Sequence, residues 1–298
     1  MKTRALARLV RALAAFTVAT LWPLAGVAYP GGTPSYQTDA APYCAGCHAS
    51  RSLEMLDGAG ERAQKELTER KHIALILSGQ KNYEGLTDPD RQLLADQIRA
   101  LDEASTVKLV APVQVQAGSR FEVTVDVTGG AGPAVGVALV DRAHRWYARP
   151  ASSAGWQVAA PPRIVGSDGQ PQDEWLAKRP EAAGRNLSYV NITGIQSDSA
   201  AKVWATGRVT FTLQAPARPG AYPLAAVYLY GTEKSTVLGY TTNAVGWKEP
   251  RGGIGGGSGR VLFSDVVQIQ VIPTAAPAAA APAGSAGSRV PVAQRVAE

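Results

Sequence analysis

The sequence predicts a multidomain chain: a small all-α segment over residues 43–104, followed by an all-β sandwich of immunoglobulin-like type over residues 105–273. Three observations carry this expectation. Residues 43–104 are rich in Leu, Ala, Glu, Lys and Arg, which suit helices, whereas residues 106–273 are rich in Val, Thr, Tyr and Gly. The spacing of apolar residues changes at the same place, from a helical period to strict alternation. Clusters of Gly, Pro, Asn and Asp then punctuate the second part at short intervals, as turns between strands do.

The first 28 residues have the pattern of a secretory signal. Lys2, Arg4, Arg8 and Arg11 form a basic start, residues 12–25 are an apolar run without charge, and Gly26-Val27-Ala28 supplies small residues at a cleavage point. The run is shorter than a membrane span requires, so no transmembrane anchor is expected after cleavage. No cysteine sits just after the cut, so a lipoprotein is not expected, and the absence of adjacent arginines in the basic start points to export in the unfolded state. The expected location is the periplasm or the exterior. The formal net charge of +6 includes four basic residues of this segment, so the exported chain is near +2. That balance gives no reason to expect nucleic acid as a partner.

Residues 29–42 read as a linker rich in Pro, Gly and Tyr. Behind it stands Cys44-Ala45-Gly46-Cys47-His48, which holds the only two cysteines of the chain. Cys-x-x-Cys-His is the attachment pattern of a c-type haem. The two thiols can form thioethers with the haem vinyl groups, the small residues between them let the chain arch over the porphyrin edge, and His48 then falls beneath the iron as proximal ligand. A thioredoxin-like redox pair would need a strand before the motif. A zinc site would need further ligands, yet no second cysteine pair exists and the other histidines are His72 and His144. One covalent haem c is therefore expected on Cys44, Cys47 and His48.

Two helices are expected behind the motif. The first covers 66–77 and closes at Ser78-Gly79. The second opens at Thr87-Asp88-Pro89-Asp90, where a capping hydroxyl, a proline in the first turn and an early acid meet. Leu94, Ile98 and Leu101 recur at helical spacing, Leu93 widens the stripe, Gln97 lies at its edge, and Asp96 and Arg99 fall away from it.

With Cys44–His48 in front, the Ile76-x-x-Gly79 step and the Leu86-Thr87…Leu93 pattern behind, residues 43–104 resemble the small monohaem class I c-type cytochromes. That resemblance implies an all-α haem domain with an axial methionine in the loop before the last helix. Here the loop is Gln80-Lys81-Asn82-Tyr83-Glu84-Gly85 and has no methionine. His72, in the middle helix, is the first candidate for sixth iron ligand. Met55, seven residues after His48, is the second and is read first as a packing residue. Lys71, Lys81, Tyr83, water or an open position are the remaining choices. Two strong ligands would suit electron transfer, and an open position would admit a small molecule.

The second part begins with Val107, Leu109, Val113 and Val115; Phe121, Val123, Val125 and Val127 then alternate with polar residues. Further strands are expected over 135–140, 187–195, 203–213, 222–230, 235–241 and 261–271, arranged as an antiparallel sandwich. The Pro-rich stretch 215–222 reads as a turn from one edge to the other. The combination is also similar to exported bacterial proteins that join a Cys-x-x-Cys-His segment to a reeler-like sandwich, on the evidence of Tyr29-Pro30-Gly31-Gly32, the haem motif and the strands that follow. Residues 274–298, mostly Ala, Pro, Gly and Ser, read as a disordered tail.

Several features are weaker. The glycine-rich stretch 252–259 lacks the Gly-Lys-Ser/Thr ending of a phosphate loop and reads as a hairpin loop. Trp146, Trp156, Trp175, Trp204 and Trp247 are packing residues first and a ligand platform second. His144 stands among Arg142, Arg145 and Arg149 in what reads as a solvated loop, and Asn191-Ile192-Thr193 matches a glycosylation acceptor. No spacing singles out a Ser/His/Asp set or a carboxylate pair.

The functional expectation is a periplasmic electron carrier rather than a catalyst: outer-sphere transfer between the haem and a redox partner protein, with the sandwich docking that partner. The alternatives are an open-site haem that senses a gas or reduces peroxide, and a β-sandwich binding module with a structural haem.

Overall fold

The computed structural model describes residues 68–80, 83–144, 148–173, 187–233, 238, 240–242, 245–246, 248–250 and 259–274. Cys44, Cys47, His48 and Met55 lie outside the described residues, as do the signal segment, the linker and the tail from residue 275. Among the described residues the chain is mostly a β-sandwich with few helices, and no helix is long and apolar enough to cross a membrane.

The first helical run starts as a π turn, Thr68–Ile73, and continues as α1, Ala74–Ser78. The wider turn has a visible consequence. Thr68, His72 and Ile73 are all buried, at spacings of four and five that one α-helical stripe would not bring inward together. The run closes as expected at Gly79, whose left-handed φ of 63° lets its N–H reach Ile76 O at 3.0 Å. Helix α2, Asp88–Ala104, opens on Thr87, whose hydroxyl accepts from the Asp90 N–H at 3.3 Å, with Pro89 in the first turn. Its buried face is Leu94, Ala95, Ile98 and Leu101. Leu93 does not widen that face: it is 47% exposed, and Ala95 takes the inward position. Arg99 reaches back to Glu69 through Nε and Nη2, each 3.0 Å from a carboxylate oxygen, and ties α2 to the π turn.

The strands are β1 (Thr106–Val110), β2 (Gln114–Gln116), β3 (Arg120–Thr128), β4 (Ala131–Val140), β5 (Gln157–Val158), β6 (Arg163–Val165), β7 (Pro171–Gln172), β8 (Tyr189–Thr193), β9 (Thr206–Gln214), β10 (Gly220–Gly231), β11 (Tyr240–Thr242), β12 (Lys248–Pro250), β13 (Arg260–Phe263) and β14 (Val267–Ile272). One sheet runs β1-β3-β9-β6-β7, with β5 also on β9; the other runs β2-β14-β10-β4-β8, with β13 also on β10. A separate hairpin joins β11 to β12. The alternation read in β3 holds, and Val123, Val125 and Val127 are buried and paired in register with Phe211, Val209 and Gly207 of β9. They meet Val135, Val137, Leu139, Tyr228, Ile269 and Val271 of the other sheet in the main core. The stretch 215–219 carries the chain from β9 in one sheet to β10 in the other; both are interior strands, so the turn crosses between sheets but does not run from edge to edge as its prolines suggested.

Two strand expectations change. The stretch 261–271 is two strands along one edge of β10. Val227 pairs with Phe263 but Leu224 with Val267, so one extra residue is inserted between them. Ser264 holds the bulge: its N–H donates to Ala226 O and its hydroxyl accepts from the Ala226 N–H, both at 2.9 Å. The sandwich is also not wholly antiparallel. The first strand splits between sheets at residues 111–113, and β2 runs parallel to β14. Strand β10 is buried on both faces from Leu224 onward, with Leu224, Ala226 and Tyr228 in the main core and Ala225, Val227 and Leu229 in a second cluster with Tyr189 and Ala148. Its near-continuous apolar run has this cause.

Candidate functional site

The described residues converge on one buried polar cluster, between the helices and one end of the sandwich. The π turn supplies His72, the loop before α2 supplies Tyr83, and the last turn of α2 supplies Asp102. Tyr230 lies near the end of β10, Thr232 and Glu233 follow that strand, and Arg260 opens β13. His72, Tyr83 and Thr232 are fully buried, and Glu233 and Arg260 nearly so.

Each ring nitrogen of His72 has a protein partner. Nε2 is 2.8 Å from Glu233 Oε1, and Nδ1 is 3.0 Å from Arg260 Nη2. A guanidinium nitrogen can only donate, so Nδ1 accepts and Nε2 carries the proton it gives to Glu233. The neutral ring thus links an acceptor to a donor. Tyr83 donates its hydroxyl to the same Glu233 oxygen at 2.9 Å, with that hydroxyl 3.1 Å from His72 Nε2; Thr232 donates to Glu233 Oε2 at 2.6 Å. On the other side, Arg260 Nε lies 3.0 and 2.9 Å from the two Asp102 oxygens, and the Tyr230 hydroxyl donates to Asp102 Oδ1 at 3.0 Å.

The electrostatics follow from these contacts. Burial pushes the Glu233 carboxyl up, but the N–H that His72 directs at it, with the hydroxyls of Thr232 and Tyr83, outweighs it and holds the group below its ordinary value. Burial likewise works against the Arg260 charge, and the Asp102 carboxylate, aided by Tyr230 and Glu233, leaves it above its ordinary value. Burial and the Asp102 charge drive the Tyr230 phenol well up, so it remains a donor.

Below the cluster, Ser105 joins helix to sheet. Its hydroxyl donates to Leu101 O at 2.7 Å and accepts from the Gly130 N–H at 3.0 Å. Gly129 and Gly130 both have left-handed φ, 77° and 71°. A Cβ on Gly129 would run into Ser105, and one on Gly130 into Tyr228 and Tyr230.

Of the residues that the sequence singled out, His72 and Tyr83 are in this cluster. Lys71 is exposed, and Lys81 lies outside the described residues. Glu233, Arg260, Asp102 and Tyr230 escaped the sequence reading. Glu233 follows an apolar strand and Arg260 precedes one, positions that usually mean a solvated strand end, and they approach His72 only through folding. Trp156 packs between Phe121 and Tyr222, with ring centroids at 5.6 and 5.7 Å, and donates Nε1–H to Pro223 O at 2.9 Å. It is a core residue. Trp204 is half-buried, while Trp146, Trp175 and Trp247 lie outside the described residues. His144 is half-buried; nearby, Asp141 accepts from Arg142 and from the Arg149 backbone N–H. Asn191 is buried in β8, so its acceptor motif is closed to modification in the folded chain. Among the described residues, no group of three or more His, Cys, Asp or Glu could hold a metal ion.

No family model matches the chain, and no curated protein matches it in sequence. Similar solved structures include the CARDB domain of the PF1109 protein from Pyrococcus furiosus in complex with di-metal ions, 15% identical over 57% of this chain and 90% of that one, at a TM-score of 0.23. The C-terminal domain of the AgI/II polypeptide BspA from Streptococcus agalactiae is 9% identical over 56% of this chain and 50% of that one, at 0.27. A PapD-like domain of human CEP192 is 13% identical over 57% and 88%, at 0.19. These likenesses are too distant to assign a family or a ligand, and the sandwich follows from the chain's own strand pairings.

Proposed function

We propose that the chain is an exported monohaem c-type cytochrome fused to an immunoglobulin-like sandwich, and that it passes single electrons to or from a partner protein in the periplasm. The observation that carries this reading is Cys44-Ala45-Gly46-Cys47-His48 downstream of an export-type segment. The donor set fits the group. Two thiols at a two-residue gap suit thioether formation, and the adjacent imidazole suits axial ligation. When bound, the haem supplies a one-electron iron couple. Cys44 and Cys47 anchor it against loss, His48 sets the proximal field, and the sandwich presents the docking surface.

The distal side is open to a second reading, favoured by one observation. His72 has both ring nitrogens engaged by Glu233 and Arg260, and Tyr83 has its hydroxyl on Glu233. With both engaged elsewhere, this reading favours Met55, Lys71, Lys81 or an exchangeable position on the distal side. An exchangeable position would make the protein a sensor of diatomic gases or a peroxide-reducing enzyme.

The test is co-production of the exported chain with cytochrome maturation machinery. Pigment that survives acidified organic solvent is expected, together with a reversible one-electron redox transition. A colourless product, or one that releases its pigment, overturns the reading. An oxidised spectrum indifferent to cyanide, together with a reduced spectrum indifferent to carbon monoxide, removes the sensor and peroxidase alternative.

A further inference from the structure

We propose that His72 is the positioning residue of a buried latch that holds the helical segment on the sandwich, and that it is not an iron ligand. The latch joins elements far apart in sequence. His72 on the π turn is clasped by Glu233, behind β10, and by Arg260, at the start of β13; Arg260 in turn clasps Asp102 in α2. Tyr230 and Tyr83 close the two ends. Only a side chain that donates at one end and accepts at the other fits between a carboxylate and a guanidinium. The neutral imidazole does so and satisfies every polar atom it faces.

The π turn serves this purpose. By widening the helix it brings His72 inward beside Ile73, so the polar link sits on an apolar layer of Ile73, Ile76, Tyr83, Leu94 and Ile98. Nothing in a surface helix needs a buried histidine. A docked helix that must take one orientation on a β-rich body does, because apolar packing alone tolerates sliding and a directional buried network does not. Thr68, the first residue of the turn, follows His48 by twenty positions. The latch therefore fixes on the sandwich the helical run that follows the haem motif in sequence.

The iron-directed half of this inference rests on the proposed haem; the latch itself does not. Two variants separate the roles. His72→Gln keeps an amide N–H for Glu233 and a carbonyl oxygen for Arg260 but is a poor iron ligand. His72→Leu keeps bulk and leaves both partners orphaned. The full exported chain is produced with maturation machinery as wild type, His72→Gln, His72→Leu and Glu233→Gln. Optical and paramagnetic-resonance spectra are recorded beside hydrogen exchange at the Leu94, Ile98 and Leu101 amides.

The latch predicts unchanged iron spectra in every variant. It predicts a fall in amide protection of about 10- to 100-fold in His72→Leu and less than about 3-fold in His72→Gln, the size expected when buried polar groups lose or keep their partners. A high-spin shift in both His72 variants with protection intact overturns it, and so does protection that is equal in Leu and Gln variants. If His72→Leu does not fold, His72→Gln and Glu233→Gln decide: a conserved exchange pattern in the first with a weakened one in the second supports the latch, and any other pairing sinks it. A colourless product overturns the haem reading, and the exchange data then decide the latch on their own.

Discussion

His72 Nε2 lies 2.8 Å from Glu233 Oε1 across 161 positions of sequence, and both side chains are buried. One carboxylate placed behind the longest strand thus defines how a helix more than half the chain away is seated. The apolar layer beneath supplies most of the adhesion, and the polar link supplies direction.

Glu233 makes stability depend on acid. Its folded-state value lies below the ordinary one despite burial, because His72, Thr232 and Tyr83 favour the charged form. The contribution is complete above the ordinary carboxylate range and is lost as pH falls through the depressed folded value. Denaturant midpoints measured from neutral pH downward should therefore fall in the acid range, and Glu233→Gln should flatten that limb while lowering stability at neutral pH. An acid limb as steep in Glu233→Gln as in the wild type would exclude this carboxylate as its source.

Arg260 and Asp102 should be strongly coupled. The Arg260 side chain is 1% exposed and that of Asp102 20%. Arg260→Met takes the charged donor from the Asp102 carboxylate, which keeps only the Tyr230 hydroxyl, and leaves His72 Nδ1 without its donor, at a cost of about 3 to 5 kcal/mol. Combining it with Asp102→Leu should recover part of that loss. Equilibrium unfolding of the two single variants and the double gives the coupling energy directly, and simple additivity would mean the pair acts independently.

Gly130 should not accept a side chain. Its φ of 71° is left-handed, and a Cβ there would meet the Tyr228 hydroxyl and the Tyr230 ring. Gly130→Ala should cost at least about 2 kcal/mol from backbone conformation and crowding together. Thermal unfolding checks this against Gly118→Ala, a left-handed position with open space around its Cβ, which should lose only the backbone part.

Local chemistry was legible wherever the chain makes its own contacts. Thr87-Asp88-Pro89-Asp90 marked the start of α2 and Gly79 the end of α1, because caps are made within a few residues. Alternation in β3 marked its core face because the period belongs to the strand itself. The π turn was not legible, since one extra residue in a helical turn leaves no compositional trace. Nor was the bulge at Ser264, because an apolar run reads the same whether it pairs as one strand or as two.

The amino-acid order alone determined the helix caps, the β-rich second half, and a Cys-x-x-Cys-His pentad whose chemistry needs no distant partner to be recognised. Only the tertiary structure decided that β2 runs parallel to β14 and that His72 meets Glu233 and Arg260. The reason is range. Caps and periodicity are set by neighbours along the backbone, whereas the pairing of a buried donor with a buried acceptor is set by which elements the apolar core brings together.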